Sequence, residues 1–154
     1  MSAVGGFGLG VFGRETGTEG GGALGGDFAY LFGGVHGIHL GYAFATGVFG
    51  PEVHLADVDY SWQWNTSPAL RGVSGSFGFL IGPSLGFVSY GGNTPQEHTT
   101  FGGRAGLFAD LHLWAFTVGI DGSYRFGMSS GFGAESFGSL GVHAGVSFEL
   151  TRAR

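Results

Sequence analysis

The sequence contains no cysteine and no lysine, and it has only 4 prolines among 154 residues. Without cysteine there can be no disulfide framework, no zinc–thiolate site and no thiol catalysis. All six basic residues are arginines that do not cluster, and the net charge of −5 argues further against a nucleic-acid-binding protein. Charged residues make up 11% of the chain and aromatic residues 16%, a composition that excludes disorder.

Long apolar segments are also missing. No uninterrupted apolar run approaches the length of about 18 residues that a transmembrane helix needs. Residues 1–6 have neither a basic segment nor an apolar core, so we expect no secretion signal, and an exported protein would be represented by its mature chain. A chain of 154 residues suffices for one sheet but not for two cores, which predicts a single domain over residues 1–154.

Glycine, by contrast, is abundant, with 35 residues. Each glycine inside a helix costs roughly 0.5–1 kcal/mol relative to alanine, so this density disfavours helices. A collagen helix is excluded because glycine has no three-residue period. The clearest pattern covers residues 140–150, where every even position is apolar and every odd position is small or polar. Strict alternation of this length predicts a β-strand with one apolar face and one polar face.

The alternation recurs along the chain and predicts eight strands joined by hairpins. The predicted strands cover residues 4–13, 23–32, 36–45, 56–64, 71–90, 101–113, 116–126 and 140–150. Val53 and Leu55 fall out of phase with the fourth strand, which predicts a bulge or the start of the strand there. Pro83 lacks a backbone donor and predicts a bulge or the end of regular pairing in the fifth strand.

The strand charges all share the face that carries glycine, serine and alanine, whereas the bulky apolar and aromatic residues share the other face. An eight-stranded barrel has little interior room, so the small and polar face belongs inside and the bulky face must meet lipid. A soluble sandwich or lipocalin-like barrel would show the opposite arrangement. We predict a lumen-facing polar network of Asp27, His39, Asp57, Asp59, Arg104, Asp110, His112, Asp121, Arg125, His143 and Glu149.

The reversals at residues 33–34, 65–70 and 114–115 are shorter than the other four. Short turns are periplasmic in bacterial barrels, which predicts that both termini lie in the periplasm. Aromatic residues then fall at two levels, where amphipathic rings favour the membrane interface. The predicted periplasmic rim holds Tyr30, Phe32, Trp62, Trp64 and Trp114, and the predicted outer rim holds Phe44, Phe87, Tyr90, Phe101, Tyr124 and Phe126.

In strand number, alternation and loop asymmetry, the whole chain resembles the small eight-stranded outer-membrane proteins of the OmpA transmembrane domain, OmpX and OmpW type. Residues 145–148 are similar to the terminal-strand signal that barrel-assembly machinery reads in that group, although this chain continues to Arg154. The resemblance implies an all-β, eight-stranded antiparallel up-and-down transmembrane β-barrel in a Gram-negative outer membrane. It implies outer-membrane lipid and the assembly machinery as partners, no cofactor, and no functional residue that can be carried over.

Three functions remain open. The first is a non-enzymatic structural, surface-interaction or assembly-partner role, with other membrane or periplasmic proteins as partners and a lumen filled by paired charges. The second is a narrow channel for ions or small solutes, favoured by the acid excess and the small lining residues. The third is a lipid-modifying outer-membrane enzyme. This chain has no His-X-Ser pair, however, and its polar rim residues His54, His98, Ser129 and Glu135 fall in separate predicted loops, so we predict no enzymatic activity.

Counting residues from the tight turn at 114–115 places Phe108 beside Asp121 and predicts that His143 lies across from Asp121. An Asp121–His143 pair would be a carboxylate–imidazole dyad, which serves a structural role where no nucleophile is identified. A metal site formed by His112, Asp57 and Asp110 is an alternative that no sequence spacing supports. The glycines at 20–22 precede a predicted strand and not a helix, which excludes a phosphate-binding loop.

Overall fold

The computed structural model describes residues 2–14, 20–47, 52–66, 72–90, 96–129 and 133–149. Eight antiparallel strands form a closed barrel in which each strand pairs with its neighbours in sequence and the last strand pairs with the first. They are β1 (Ser2–Arg14), β2 (Gly20–Phe32), β3 (His36–Gly47), β4 (Glu52–Asn65), β5 (Val73–Tyr90), β6 (Gln96–Leu113), β7 (Phe116–Ser129) and β8 (Gly133–Glu149). This is the up-and-down barrel that the alternation predicts. The described residues include no helix that is long and apolar enough to cross a membrane.

The strands are staggered around the ring. Following paired residues from Ser2 through every strand leads back to Phe12, ten residues further along β1. A stagger of this kind tilts the strands relative to the barrel axis and, with the strand number, sets the barrel width. Eight strands leave an interior that side chains can fill, so the residues that face inwards must pack and pair with one another.

Several strands extend further than predicted at the end of the barrel opposite the termini. Residues 20–22, 46–47, 96–99, 127–129 and 133–135 belong to strands, although their sequence predicts loops. Their backbones continue the ladders, with Tyr90 paired to Gln96 and Ser129 paired to Gly133. Their polar composition is typical of loops, but side chains such as His98 and Glu135 are buried. The longer reversals on which the predicted orientation rests therefore consist partly of strand residues.

Of the two alternatives predicted near Val53 and Leu55, the start of a strand is confirmed and the bulge is absent. β4 begins at Glu52, and it pairs with β3 in an unbroken register from there to Trp62. Val53 and Leu55 lie in the same phase as Asp57, and they pack with Ala45, Val88 and Phe137 in an apolar cluster. They look out of phase because the inward face of β4 changes from polar to apolar towards the outer end.

At Pro83 the predicted bulge is absent, and regular pairing is interrupted without ending. The ladder between β4 and β5 lacks the pairs of Val58 and Asp59, which stand opposite Pro83 and Gly82, and resumes in the same register. On its other side Pro83 pairs with Gly103 in a continuous register. The missing backbone donor therefore costs local pairing and leaves the strand otherwise regular. The tight reversal at Gly33 and Gly34 is confirmed, because both residues have positive φ angles.

The exterior of the barrel is apolar. Every strand points at least one large exposed apolar side chain outwards. Examples in strand order are Phe7, Leu24, Ile38, Val58, Phe77, Leu107, Phe116 and Phe148. Phe7 is 78% exposed, and Phe116 and Phe148 are more than half exposed. Such a surface is costly in water, at roughly 25 cal/mol for each Å² of apolar area, and is suited to lipid.

The inward residues of β1, β2 and β3 are mostly glycine and alanine and form what we call the small-residue wall. It consists of Gly6, Gly8, Gly10, Ala23, Gly25, Ala29, Gly41, Ala43 and Ala45. A cavity of about 170 Å³ lies along this wall. The opposite side of the lumen, formed by β4 to β8, carries most of the charged side chains. The cavity is therefore bordered on one side by small residues and on the other by charged side chains, among them Asp57, Arg104 and Arg125.

The seam between β1 and β8 closes the barrel. Gly6 pairs with Gly145 and Gly10 with Gly141 across it. A Cβ atom on Gly10 would lie 2.7 Å from the carbonyl oxygen of Leu140, and one on Gly145 would lie 2.6 Å from the carbonyl oxygen of Gly5. The two strands approach each other too closely here for side chains larger than hydrogen, which accounts for glycine at these positions.

Candidate functional site

The central part of the lumen is bridged by two arginines and two aspartates. The Nη2 atom of Arg125 on β7 donates to Asp57 Oδ2 on β4 at 2.6 Å, and Arg125 Nε lies 3.2 and 3.3 Å from the two carboxylate oxygens. Arg104 Nη1 on β6 donates to Asp59 Oδ2 at 2.6 Å and lies 3.5 Å from Asp57 Oδ2. Because β4 and β7 are not neighbours in the sheet, the Asp57–Arg125 pair crosses the lumen. Bidentate, charge-assisted hydrogen bonds of this kind are stronger than hydrogen bonds between neutral groups.

A second bridge consists of Asp110, His143 and Asp121. His143 Nε2 lies 2.8 Å from Asp110 Oδ1, and His143 Nδ1 lies 3.2 Å from Asp121 Oδ1. A neutral imidazole has one N–H, so donation from both nitrogens to carboxylates requires the imidazolium form. In that form His143 contributes a positive charge that is shared by two carboxylates.

The register around this bridge partly matches the sequence analysis. Phe108 pairs with Asp121, as predicted. His143 does not lie directly across from Asp121: it pairs with Gly119, whereas Asp121 pairs with Gly141. The predicted register is therefore wrong by two residues. The two side chains still meet because diagonal neighbours on a sheet are within reach of long side chains.

The remaining inward residues occupy other levels of the lumen. His112 contacts Ser76 Oγ through Nε2 and Thr117 Oγ1 through Nδ1, both at 3.0 Å. His39 Nε2 contacts Ser61 Oγ at 2.9 Å. Asp27 lines the cavity beside the small-residue wall. The side chain of Glu149 lies outside the described part of the structure.

The structure does not assemble the metal site considered from the sequence. Asp57 binds Arg125, Asp110 binds His143, and His112 binds hydroxyl groups. These three residues therefore have separate partners. Within the described ranges there is no group of three or more histidine and carboxylate side chains that could hold a metal ion.

The outer end of the lumen contains a polar cluster that was not predicted from the sequence. His98 Nε2 on β6 lies 3.1 and 3.0 Å from the two carboxylate oxygens of Glu135 on β8, and Thr100 Oγ1 donates to Glu135 Oε2 at 3.1 Å. The side chains of His98 and Glu135 are each 1% exposed, and the ring of Tyr90 stacks on His98. The prediction that these residues fall in separate loops is wrong. Their even and odd positions continue the inward phases of β6 and β8, and that signal could have found them.

Outward-facing aromatic residues lie near both ends of the barrel. Trp62 and Trp64 are stacked with ring centroids 6.1 Å apart, and Trp64 stacks on Phe77 at 5.3 Å. With these at the end that holds the termini lie Tyr30, Phe32 and Trp114, while Phe44, Phe87, Phe101, Tyr124 and Phe126 lie towards the other end. Tyr90, which the sequence analysis placed on the outer rim, instead packs against buried residues of the outer lumen.

Two hydrogen-bonded tyrosine–histidine pairs on the outside were not predicted. Tyr42 Oη on β3 lies 2.6 Å from His54 Nδ1 on β4. His36 Nδ1 on β3 is hydrogen-bonded to Tyr60 Oη on β4. Both pairs join the same two strands, one towards each end of the barrel. Their signal in the sequence is weak because each pair joins residues on different strands.

These features define a class: closed eight-stranded antiparallel barrels with a polar lumen and an apolar exterior. Among solved structures, the chain is similar to Neisserial surface protein A (NspA), with a TM-score of 0.69, 13% identity, and coverage of 96% of this chain and 97% of the other. It is also similar to the N-terminal β-barrel domain of Pseudomonas aeruginosa OprF, with a TM-score of 0.67, 14% identity, and coverage of 95% and 97%. The predicted resemblance to small outer-membrane barrels is thus confirmed for the fold.

A third similar structure is the outer membrane enzyme PagL, with a TM-score of 0.53, 10% identity, and coverage of 92% of this chain and 98% of the other. No protein-family model matches the sequence, and a comparison with curated proteins gives no match. Since the fold is shared by proteins that include an enzyme, function must be argued from the residues of this chain.

Proposed function

We propose that this chain is an integral outer-membrane β-barrel with a non-enzymatic role, as a structural, surface-interaction or assembly-partner protein. The observation that carries the proposal is the inside-out distribution of side chains. Large apolar residues are exposed on all eight strands, while Asp57, Asp59 and Arg125 are buried in the lumen. Only a surrounding of lipid makes such a distribution stable, and a closed barrel satisfies the backbone groups that lipid cannot.

The proposal includes the orientation and the partners. Both termini would lie in the periplasm, because the short connections after Phe32 and after Leu113 lie at the same end of the barrel as the termini. The belts of outward aromatic residues would then mark the two membrane interfaces. Outer-membrane lipid surrounds the barrel, and barrel-assembly machinery would insert it.

The lumen favours a closed barrel over an open pore. The Asp57–Arg125 pair crosses it, and the bridge from Asp110 to His143 joins β6 to β8 at another level. Beyond these bridges, towards the outer end, the buried cluster around Val53 adds an apolar obstruction. An ion that passed would have to break charge-assisted bonds and then pass both the buried apolar cluster and the buried His98–Glu135 pair.

The first test of the proposal is heat-modifiability. The purified chain is expected to need detergent for solubility and to migrate differently on a denaturing gel before and after boiling, because a closed barrel resists unfolding by detergent at room temperature. A boiled sample of the same preparation is the control. A monomer that stays soluble without detergent would contradict a membrane barrel.

A narrow cation channel is the second candidate, and it is favoured by the cavity along the small-residue wall and by the carboxylate of Asp27 beside it. The closed-lumen proposal predicts no conductance above leak when the folded protein is inserted into planar lipid bilayers. Protein-free bilayers are the control. Discrete single-channel steps whose size changes in Asp57→Asn or Asp121→Asn would contradict the proposal and establish the channel.

A lipid-modifying enzyme receives little support from the residues. His98 and Glu135, the imidazole and carboxylate that meet at the outer end, are buried inside the barrel. Ser129 is also buried at this end. A lipid substrate lies outside the barrel wall, so it cannot reach these groups without opening the mouth of the barrel. This burial supports a non-enzymatic role.

A further inference from the structure

The turn between β6 and β7 holds a tryptophan in a strained backbone conformation. Trp114 has a φ angle of 55°, and in the described ranges it is the one residue other than glycine with a positive φ. For a bulky side chain this left-handed conformation is a genuine outlier. Such a residue persists only where the surrounding structure holds it, and an observed outlier of this kind is a starting point for a hypothesis of function.

The backbone of this turn suits glycine better than tryptophan. Trp114 and Ala115 form a two-residue loop between Leu113 and Phe116, which pair with each other, and only the first loop residue has a positive φ. That combination corresponds to a type II′ turn, in which glycine is favoured at the first position. The reversal after β2 follows the general preference, because its positive φ angles are those of two glycines. Tryptophan at position 114 therefore needs a reason other than the geometry of the turn.

The turn is held by hydrogen bonds from both neighbouring strands. The backbone N–H of Trp114 donates to the carbonyl oxygen of Gly72, just before β5, at 2.8 Å. On the other side, the N–H of Ser147 on β8 donates to the carbonyl oxygen of Ala115 at 2.7 Å. These two bonds fix the turn in the sheet, and their stability offsets the unfavourable φ angle.

The indole ring lies against Gly72 and is otherwise open to the surroundings. A Cβ atom on Gly72 would lie 2.6 Å from Trp114 Cδ1 and would also overlap Nε1, so the ring covers a residue that has no side chain. In spite of this contact, Trp114 is 78% exposed. A large apolar ring left in water is unfavourable, which indicates that something outside the barrel covers it.

The level of the turn on the barrel indicates what covers the ring. Phe116, the first residue after the turn, is 63% exposed and belongs to the apolar exterior. Because one residue of a strand spans about 3.4 Å, Trp114 stands immediately beyond the apolar band, at the end that holds the termini. Phe148, 61% exposed, follows Ser147 beside the same turn. An indole combines an apolar body with one N–H donor and is suited to this boundary between acyl chains and water.

We propose that Trp114 anchors the β6–β7 turn in the head-group region of the periplasmic leaflet, and that phospholipid is the partner of its ring. The strained conformation is tolerated because the contact with lipid offsets its cost. The proposal rests on the proposed function, because it needs a barrel that is embedded in lipid with its termini in the periplasm. It gives one member of the aromatic belt an energetic role, at a position where glycine would be the better turn residue.

The first test locates the ring in the membrane. The double variant Trp62→Phe with Trp64→Phe leaves Trp114 as the only tryptophan of a sequence that contains 3. The folded variant is inserted into phosphatidylcholine vesicles that carry bromine either close to the head group or at the ends of the acyl chains. We expect stronger quenching of the Trp114 fluorescence by bromine close to the head group. Stronger quenching from the chain ends would contradict the proposal, as would quenching by aqueous iodide and by neither brominated lipid.

The second test separates the ring from the backbone conformation. Trp114→Ala removes the ring but keeps a Cβ atom at a positive φ, and Trp114→Gly, its matched control, removes both. In urea titrations in vesicles, followed by Trp62 and Trp64, we expect Trp114→Ala to lower the ratio of folded to unfolded protein on the order of tenfold, as if about 50–60 Å² of apolar surface were returned to water. Trp114→Gly is expected to exceed the alanine variant by about fivefold, because glycine adopts this φ without strain.

Either of two results in these titrations would overturn the proposal. An alanine variant as stable as the unmodified protein would show that the ring is no anchor, and a glycine variant no more stable than the alanine variant would show that the turn is not strained. The gel shift on heating is measured for every variant. A protein without that shift would contradict the membrane barrel itself, whereas a folded barrel whose ring is quenched only from water contradicts only the anchor.

Discussion

Replacing Arg125 by methionine is expected to lower the free energy of unfolding by about 3–5 kcal/mol. Arg125 holds Asp57 through three contacts of 2.6 to 3.3 Å, and Asp57 is 3% exposed. Methionine keeps much of the side-chain volume but leaves the carboxylate with Arg104 at 3.5 Å as its remaining cation. A buried charge that loses its main partner retains the cost of desolvation without the compensating attraction.

The measurement is urea-induced unfolding in lipid vesicles, followed by tryptophan fluorescence and compared at equal protein-to-lipid ratio. The double variant Asp57→Leu with Arg125→Met removes both charges and is expected to recover most of the lost stability, since two apolar groups can replace a buried ion pair at little cost. A single variant within about 0.5 kcal/mol of the unmodified protein, the range typical of surface substitutions, would show that the pair does not brace the lumen.

Gly119→Ala is expected to destabilise the barrel by about 2–4 kcal/mol, through overpacking and the loss of a charge-assisted hydrogen bond. A Cβ atom at position 119 would lie 2.6 Å from His143 Nε2 and 2.7 Å from the carbonyl oxygen of Ala109, and it would also overlap Asp110 Oδ1. The methyl group would therefore enter the space in which Asp110 and His143 meet. The glycine is needed for its lack of a side chain.

Gly122→Ala is the matched control for this variant. Gly122 is on the same strand, and a Cβ atom there would meet Leu140 Cδ1 at 3.6 Å, an ordinary contact. It is expected to be neutral or stabilising by up to about 1 kcal/mol, because alanine restricts the unfolded chain more than glycine does. Equal stabilities of the two variants in the same urea titration would show that the Asp110–His143 contact does not depend on Gly119.

The fold could be predicted from the sequence because successive residues of a strand point to opposite faces of the sheet. Asp57 and Asp59 are two positions apart, as are Asp121 and Ser123, so the two members of each pair share the inward face. The ends of the strands could not be predicted in the same way. His98 and Glu135 are polar and lie near glycines, so their segments have the composition of loops while their backbones continue the ladders.

The partners inside the lumen were less accessible to sequence reasoning. Asp57 and Arg125 are 68 residues apart and lie on strands that are not neighbours. Their meeting depends on the stagger of the whole barrel, which no local pattern encodes. Asp121 and His143 could be associated because they lie on consecutive strands, β7 and β8. Even there the register was wrong by two residues.

The glycine-lined seam between β1 and β8 has a consequence for how the barrel forms. The partners of Asp57, Arg104, Arg125 and His143 described above lie on β4, β6, β7 and β8, and none lies on β1. Five consecutive strands can therefore neutralise their charges as a curved open sheet. Among the side chains that the structure describes, none on β1 takes part in these ion pairs, so the final joining of β1 to β8 forms the backbone ladder after the ion pairs are in place. We expect the ion pairs of β4 to β8 to form before the barrel inserts and the glycine-lined seam between β1 and β8 to close last.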